Sequence, residues 1–340
     1  MDTITRETGS AANLGSFDAV ICAGGLSGWA AATTLARAGR EVLIASERTA
    51  LGWEVWGAMS LWLQASDDWP GLLSKIIDGL TAAGAISSDT LDPVATEVLL
   101  DRLAADAGVI TLLQVYAHAS EEQRVLLTGK WGLMSVGARA VVDATCTGTI
   151  ARESGGQAVA RTTDELPLRR MLIVKADLAE PAEFAVPAEL PVSGGKVLAR
   201  LGRYPGDVIV EARLELDPTG GSRFEIDSRR AMNEVAAHLR ASYEPFAHTS
   251  LVQVAHDAAL PRCEVLRGSE DVSPISTLTT ADGPLSVTRG AMLPGGTSDR
   301  VLASPAADLG AITTVEYHQA ANAIRVGEAA AALASEMIGK

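Results

Sequence analysis

The chain is poor in positive charge, in cysteine and in every aromatic except tryptophan. Lys and Arg number 28 against 42 Asp and Glu, a formal net charge of −14, and no basic run breaks the acid excess. Phosphate backbones and anionic membrane surfaces need clustered cations, so the composition points away from nucleic acid and membrane as partners. No apolar stretch has the length of a membrane span. The opening MDTITRETGSAANLGS is polar and has no apolar core for export, so residues 1–16 are expected to be a disordered leader. The three cysteines (Cys22, Cys146, Cys263) form no C-x-x-C pair, and no His/Cys/Asp cluster has ligand spacing. That argues against a metal and for a reducing, cytoplasmic location. A G-x-S-x-G nucleophile elbow is also missing, so a serine hydrolase has no support.

What is present is concentrated in Phe17–Gly52. An apolar run, Phe17–Cys22, meets a glycine turn at Gly24, Gly25 and Gly28. An alanine-rich helix is expected over 26–38 and a second strand over 41–46. This is the pattern of a dinucleotide-binding βαβ unit. The glycines allow a tight turn, close approach of backbone to pyrophosphate and close helix–strand packing. The helix N-terminus then presents bare N–H groups to the phosphates.

Beyond it, helices are expected over 71–84 and 93–107, a strand over 109–117, and two more at RVLLTG and ARAVVDAT. From about residue 155 the texture changes to strand-like runs separated by Pro/Gly turns, read as a separate antiparallel sheet. A helix over 228–241 with Ser228 as N-cap accompanies it. RVLAS (300–304) returns to the first texture, and the capping box Thr313-x-x-Glu316 is expected to open one helix over 314–337. The fold class is thus α/β: a discontinuous Rossmann-like domain (17–155 and 292–340) with an antiparallel substrate or cap domain (156–291) inserted.

The glycine turn, VVDATCTGTIARESGG (141–156) and DRVLASPAADLGAITTVEYHQAANAIRVGEAAAALA (299–334) occur in the order seen in FAD-dependent oxidoreductases. The chain resembles the glutathione-reductase-like superfamily, and within it the bacterial FAD-dependent oxidoreductase group distantly related to fumarate reductase flavoproteins. The resemblance implies FAD as cofactor. It implies pyrophosphate at Gly24, Gly25, Leu26, Ser27 and Gly28, ribose near Ser46, Glu47 and Arg48, and adenine near Tyr116 and Ala117. Flavin would lie near Gly52 and the helix start at Thr313 and Thr314, with Ala144 and Thr145 in the second landmark. A small organic substrate would be oxidised by a dehydrogenase or oxidase, with His318 as proton acceptor.

Several positions depart from the family pattern. Ala23 stands where the first glycine belongs, and its Cβ is accommodated only if its φ is negative. Ser46 occupies the place of the ribose-binding acid, and Glu47 substitutes only if the strand has ended before it. Trp53 replaces a glycine expected near flavin. These departures support an alternative, a non-catalytic flavoprotein-like subunit that assists a catalytic partner. Five of the six tryptophans fall between residues 29 and 69, and the Trp-rich segment 53–69 is the expected surface for a partner subunit.

Overall fold

The computed structural model describes residues 11–63, 69, 71–87, 89–120, 123–160, 168–217, 222–259, 264–295, 299–310 and 312–339, without the side chains of residues 314 and 315. Strand β1 (Ala12–Cys22), helix α1 (Leu26–Arg37) and strand β2 (Val42–Ser46) form the expected βαβ unit. Helices α2 (Trp53–Trp56) and α3 (Gly71–Ala82), the small ladder β3 (Ile86–Ser87) and β4 (Thr90–Leu91), and helix α4 (Pro93–Asp106) come next. Asp92 starts α4 by accepting a hydrogen bond from the Ala95 N–H at 2.8 Å, with Pro93 in the first turn, where a missing N–H costs nothing. Strands β5 (Ile110–Leu113), β6 (Val115–Ala119), β7 (Arg124–Gly129) and β8 (Gly132–Asp143) and helix α5 (Thr149–Glu153) complete this run.

The inserted part holds β9 (Ala158–Ala160), β10 (Leu168–Lys175), β11 (Ala182–Ala185), β12 (Lys196–Leu201), β13 (Asp207–Leu214), helix α6 (Arg223–Ser242), β14 (Ser250–Val254) and β15 (Glu264–Leu266). The hairpin β16 (Pro274–Thr280) and β17 (Gly283–Thr288), helix α7 (Arg289–Met292), β18 (Arg300–Leu302), α8 (Thr314–Tyr317) and α9 (Ala320–Ile338) end the described chain.

The main sheet runs β5-β2-β1-β8-β7-β6, with β18 also on β8. Its β5, β2, β1, β8 and β18 pairings are parallel, and β8-β7-β6 is an antiparallel meander. The second sheet, β11-β12-β13-β10-β14, is antiparallel throughout. Alternation along β10 splits its two faces: Leu172 and Val174 pack in the core beneath Met232, Val235 and Leu239 of α6, while Met171 and Ile173 join the core of the main-sheet domain.

Five expectations are corrected. Residues 12–16, placed in a disordered leader, extend β1 and pair with the Met134–Gly137 stretch of β8; residues 1–10 lie outside the described residues. The single strand over 109–117 is two, because Gln114 adopts φ +60 and donates its N–H to Arg48 O. Helix α6 begins at Arg223, so Ser228 is no N-cap but a fully buried interior residue. The helix over 314–337 breaks at His318–Gln319, where Gln319 has extended backbone and starts α9. The Asn322 side chain stabilises the break: its amide donates to Glu316 O and Thr279 O, and its oxygen accepts from Thr279 N. The last correction concerns the hairpin at 274–288. Leu278 and Val287 lie in the same core as α9, so this hairpin packs with the main-sheet domain rather than with the insert.

Candidate functional site

The turn between β1 and α1 is built backbone against backbone. A Cβ on Gly28 would collide with the Ala23 carbonyl oxygen and stand 3.0 Å from the Ala144 Cβ, and one on Gly24 would stand 2.6 Å from Leu51 Cδ2. Ala23 sits at φ +85, so the condition of a negative φ is not met and the residue carries left-handed strain. Gly25 is the N-cap of α1 and has no side chain to cap it. The Leu26 N–H instead donates to Glu54 Oε2 at 2.9 Å, bridging 28 positions of sequence. Glu54 is 3% exposed. Burial drives its carboxyl from 4.5 up to about 7, against its hydrogen bonds from the backbone N–H groups of Glu54 and Leu26, with Glu47 raising it further and Arg48 opposing.

Trp53 lies beside Glu54. A Cβ on Gly25 would be 2.6 Å from Glu54 Oε1 and 3.1 Å from Trp53 Nε1. On its other side Trp53 meets His318 edge-on at 5.2 Å, and the Arg48 guanidinium lies 5.6 Å from its ring centre. Arg48 in turn pairs with Asp257 at 2.8 Å, and the Asp257 N–H donates to Gly57 O. The 255–258 loop of the insert thereby grips both ends of the Trp53–Gly57 segment.

The predicted positions are spread over several parts of the main-sheet domain. Gly24, Gly25, Leu26, Ser27 and Gly28 are all buried at the turn, with Ser27 Oγ donating to Ala303 O at 2.6 Å. Glu47 and Arg48 line a cavity of about 630 Å³ together with Trp56, Gln114, His256 and Asp257. Strand β2 ends at Ser46, so Glu47 meets the condition set for it, whereas Ser46 is fully buried and its Oγ accepts from the Arg48 N–H. Tyr116 is 60% exposed on β6 and, like Ala117, lies outside this lining. Gly52 adopts φ +69 and donates its N–H to Gly24 O.

Ala144 and Thr145 form a closed knot around Asp143. The buried Asp143 carboxylate accepts from Thr145 N and Oγ1 and from Ala151 N, and Thr145 Oγ1 accepts from Thr149 N. Burial pushes Asp143 up despite these bonds. The capping box is present: Thr313 N and Oγ1 donate to Glu316 Oε2, and Glu316 N donates to Thr313 Oγ1. Thr314 opens α8 in its backbone, and its side chain lies outside the described residues. His318 is 3% exposed between Trp53 and Tyr317, whose hydroxyl donates to Ala303 O.

Among the expected Trp-rich surface, Trp53 is buried, and Trp56, Trp62 and Trp69 are half-buried; residues 64–68 and 70 lie outside the described residues. Trp29 is wholly buried and donates to Leu100 O. The Arg223, Arg229 and Arg230 group is ion-paired along α6 with Asp227 and Glu225. Among the described residues no group of three His, Cys, Asp or Glu side chains could hold a metal, and no helix is long and apolar enough to cross a membrane. Sequence reading missed Glu54, His256 and Asp257. The only signal for Glu54 was an acid two positions past Gly52, next to the Trp53 that replaces a glycine of the family pattern.

Residues 18–165, which hold the βαβ unit and the Asp143 knot, match a known family model. That model is FAD dependent oxidoreductase, and it covers less than half of the chain. No curated protein matches the sequence. Solved structures share the fold at low identity. A geranylgeranyl bacteriochlorophyll reductase-like protein from Thermoplasma acidophilum is 15% identical with a TM-score of 0.60, over 95% of this chain and 79% of that one. The p-nitrophenol 4-monooxygenase PnpA from Pseudomonas putida DLL-E4 is 13% identical with a TM-score of 0.56, over 95% and 81%. CabE, an aromatic hydroxylase from angucycline biosynthesis, is 15% identical with a TM-score of 0.52, and this chain spans 86% of itself but only 56% of that protein.

The matched family is FAD-dependent, and the glycine turn ahead of α1 has no capping side chain of its own. In this arrangement, however, the chain's own Glu54 carboxylate is on the Leu26 N–H and Trp53 is against Gly25. The residues present do not admit a pyrophosphate there until Trp53 and Glu54 move.

Proposed function

We propose that the chain is a FAD-dependent oxidoreductase, of dehydrogenase or oxidase type, working in the cytoplasm on a small organic substrate. The observation that supports it is the family match over 18–165, which falls on the β1-α1-β2 unit and its glycine turn. The start of α1, once Glu54 has left it, would hold the cofactor phosphates, Glu47 would face the ribose from the end of β2, and the flavin would supply the redox chemistry. His318 is the proposed proton acceptor. It reaches a substrate only when Trp53 swings away from its edge, so substrate access and cofactor entry depend on the same side chain.

The test is the visible spectrum of the purified protein before and after incubation with excess FAD and removal of free flavin. Flavin absorbance that stays with the protein supports the reading; a protein that retains none at any FAD concentration overturns it. A second reading is favoured by one observation, the Glu54 carboxylate on the helix start. In it the chain is a non-catalytic, flavoprotein-like subunit that supports a catalytic partner through the half-buried tryptophans of the 53–69 segment. Co-purification with a flavoprotein, lost on Trp56→Ala, is the outcome that reading requires.

A further inference from the structure

The family takes FAD, yet the place of its phosphates is filled from within. A helix start carries a partial positive charge and unpaired N–H groups, and α1 has no side chain at its own cap to answer them. The answering group is Glu54, 3% exposed, with one carboxylate oxygen 2.9 Å from the Leu26 nitrogen and the other against Gly25. Only a glycine at 25 leaves room for it, because a Cβ there would be 2.6 Å from Glu54 Oε1.

The segment that delivers Glu54 is short and bounded by glycines. Gly52 lies on one side at φ +69 and Gly57 on the other, where a Cβ would stand 2.8 Å from Trp53 O and 3.3 Å from Asp257 Oδ2. Helix α2 between them has four residues. It is held by Trp53 against His318, by Arg48 beside the Trp53 ring, and by the hydrogen bond from Asp257 N to Gly57 O.

We propose that Glu54 is an internal substitute for the cofactor's phosphate, and that the Trp53–Glu54 segment has to swing out of the start of α1 before a dinucleotide can bind. The inference rests on the FAD site of the reading above and adds to it a competitor carried by the chain itself. It follows that the protein folds with the Leu26 N–H already satisfied in the absence of FAD, and that FAD must bind against the loss of the Glu54 contact. It also follows that the 255–258 loop, through Arg48 and Gly57, biases which of the two occupies the turn.

The experiment is a fluorescence titration of FAD, and separately of ADP, into flavin-free wild type, Glu54→Gln, Glu54→Ala and the double variant Trp53→Gly/Glu54→Ala. Thermal melting without ligand accompanies each. The expected result is FAD binding at least tenfold tighter in Glu54→Ala than in wild type and tighter again in the double variant. Glu54→Gln, which keeps an acceptor oxygen and stays near the native shape, should tighten binding at least threefold. ADP should follow the same order, because the contested group is the phosphate. Without ligand, Glu54→Ala should melt below wild type.

The inference is overturned if wild type purifies with one FAD per chain, or if no folded variant binds FAD more tightly than wild type. It also fails if FAD binding tightens while ADP binding does not. A wild type that carries full FAD leaves the oxidoreductase reading standing while removing the competitor. A wild type that takes up no FAD beside variants that do removes the catalytic reading while supporting the competitor.

Discussion

Replacing Glu54 with Gln should change how stability depends on pH, with a sign set by its burial and a size of a few kcal/mol. The unfolded chain ionises Glu54 near 4.5, whereas burial holds the folded carboxyl to about 7. Between these values the unfolded state has released a proton that the folded state keeps. The native state therefore loses stability relative to the unfolded chain as pH rises from about 4.5 to about 7, and the loss levels off above that. Each pKa unit is worth about 1.36 kcal/mol, so the window amounts to roughly 3 kcal/mol. Arg48 opposes the effect and Glu47 adds to it, and both are unchanged in the variant. Urea unfolding of wild type and Glu54→Gln at matched pH values from 4.5 to 8 isolates the residue, because the other carboxyls, including Asp143, cancel in the difference. The difference should move by roughly 3 kcal/mol in favour of Glu54→Gln across the window. A difference constant to within about 0.5 kcal/mol, well below that expectation, would refute the burial of Glu54 at the start of α1.

Three other substitutions probe the frame around the turn. Gly28→Ala drives a methyl into the Ala23 carbonyl and should cost at least about 2 kcal/mol by urea unfolding; a loss under about 0.5 kcal/mol would contradict the close helix–strand packing. Ala23→Gly relieves about 1–2 kcal/mol of left-handed strain but surrenders about 0.5–1 kcal/mol of chain entropy and a buried methyl worth about 0.8 kcal/mol. Its stability should therefore stay within about 0.8 kcal/mol of wild type, and a fall of about 1.3–1.8 kcal/mol, the two losses with nothing to offset them, would show that the strain is absent. Arg170, fully buried, donates to Glu225, Ser228, Ala255 O and His256 O. Arg170→Met strips these partners and should destabilise the protein by about 3 kcal/mol or more; a neutral result in thermal and urea unfolding would show that the 255–258 loop is anchored otherwise.

The βαβ unit was legible because its signals are local: an apolar run, glycines at the turn and an alanine-rich helix lie within a few turns of one another. The Thr313–Glu316 capping box was legible for the same reason, as two residues three apart satisfy each other. What escaped depends on distant partners. The helix after the box breaks because Asn322 is claimed by Thr279 of the hairpin, a contact no helical periodicity announces. Ser228 looks like a cap in sequence and serves instead as an acceptor for Arg170. Residues 12–16 are polar enough to look unstructured, yet β8 gives them a partner. At the turn itself, the glycine motif announced the close backbone packing that the structure has, and β2 ends at Ser46, the condition set for Glu47. Glu54 stayed hidden because its role arises from proximity to α1 across a loop, not from spacing.

The closeness of α1 to the far end of the sequence has a temporal consequence. Ser27 bonds to Ala303 across 276 positions, and a Cβ on Gly327 of α9 would be 2.7 Å from the Ala30 Cβ. At 5–20 residues per second of synthesis, on the order of 15–55 s separate the emergence of Ser27 from that of its partner. Throughout that interval the part of the first helix that meets Ala303 and α9 lacks its native partner, although Trp29 on the same helix finds Leu100 much earlier. The βαβ unit, which precedes the insert in the chain, is therefore among the last parts to be finished, because α1 waits for Ala303 and α9.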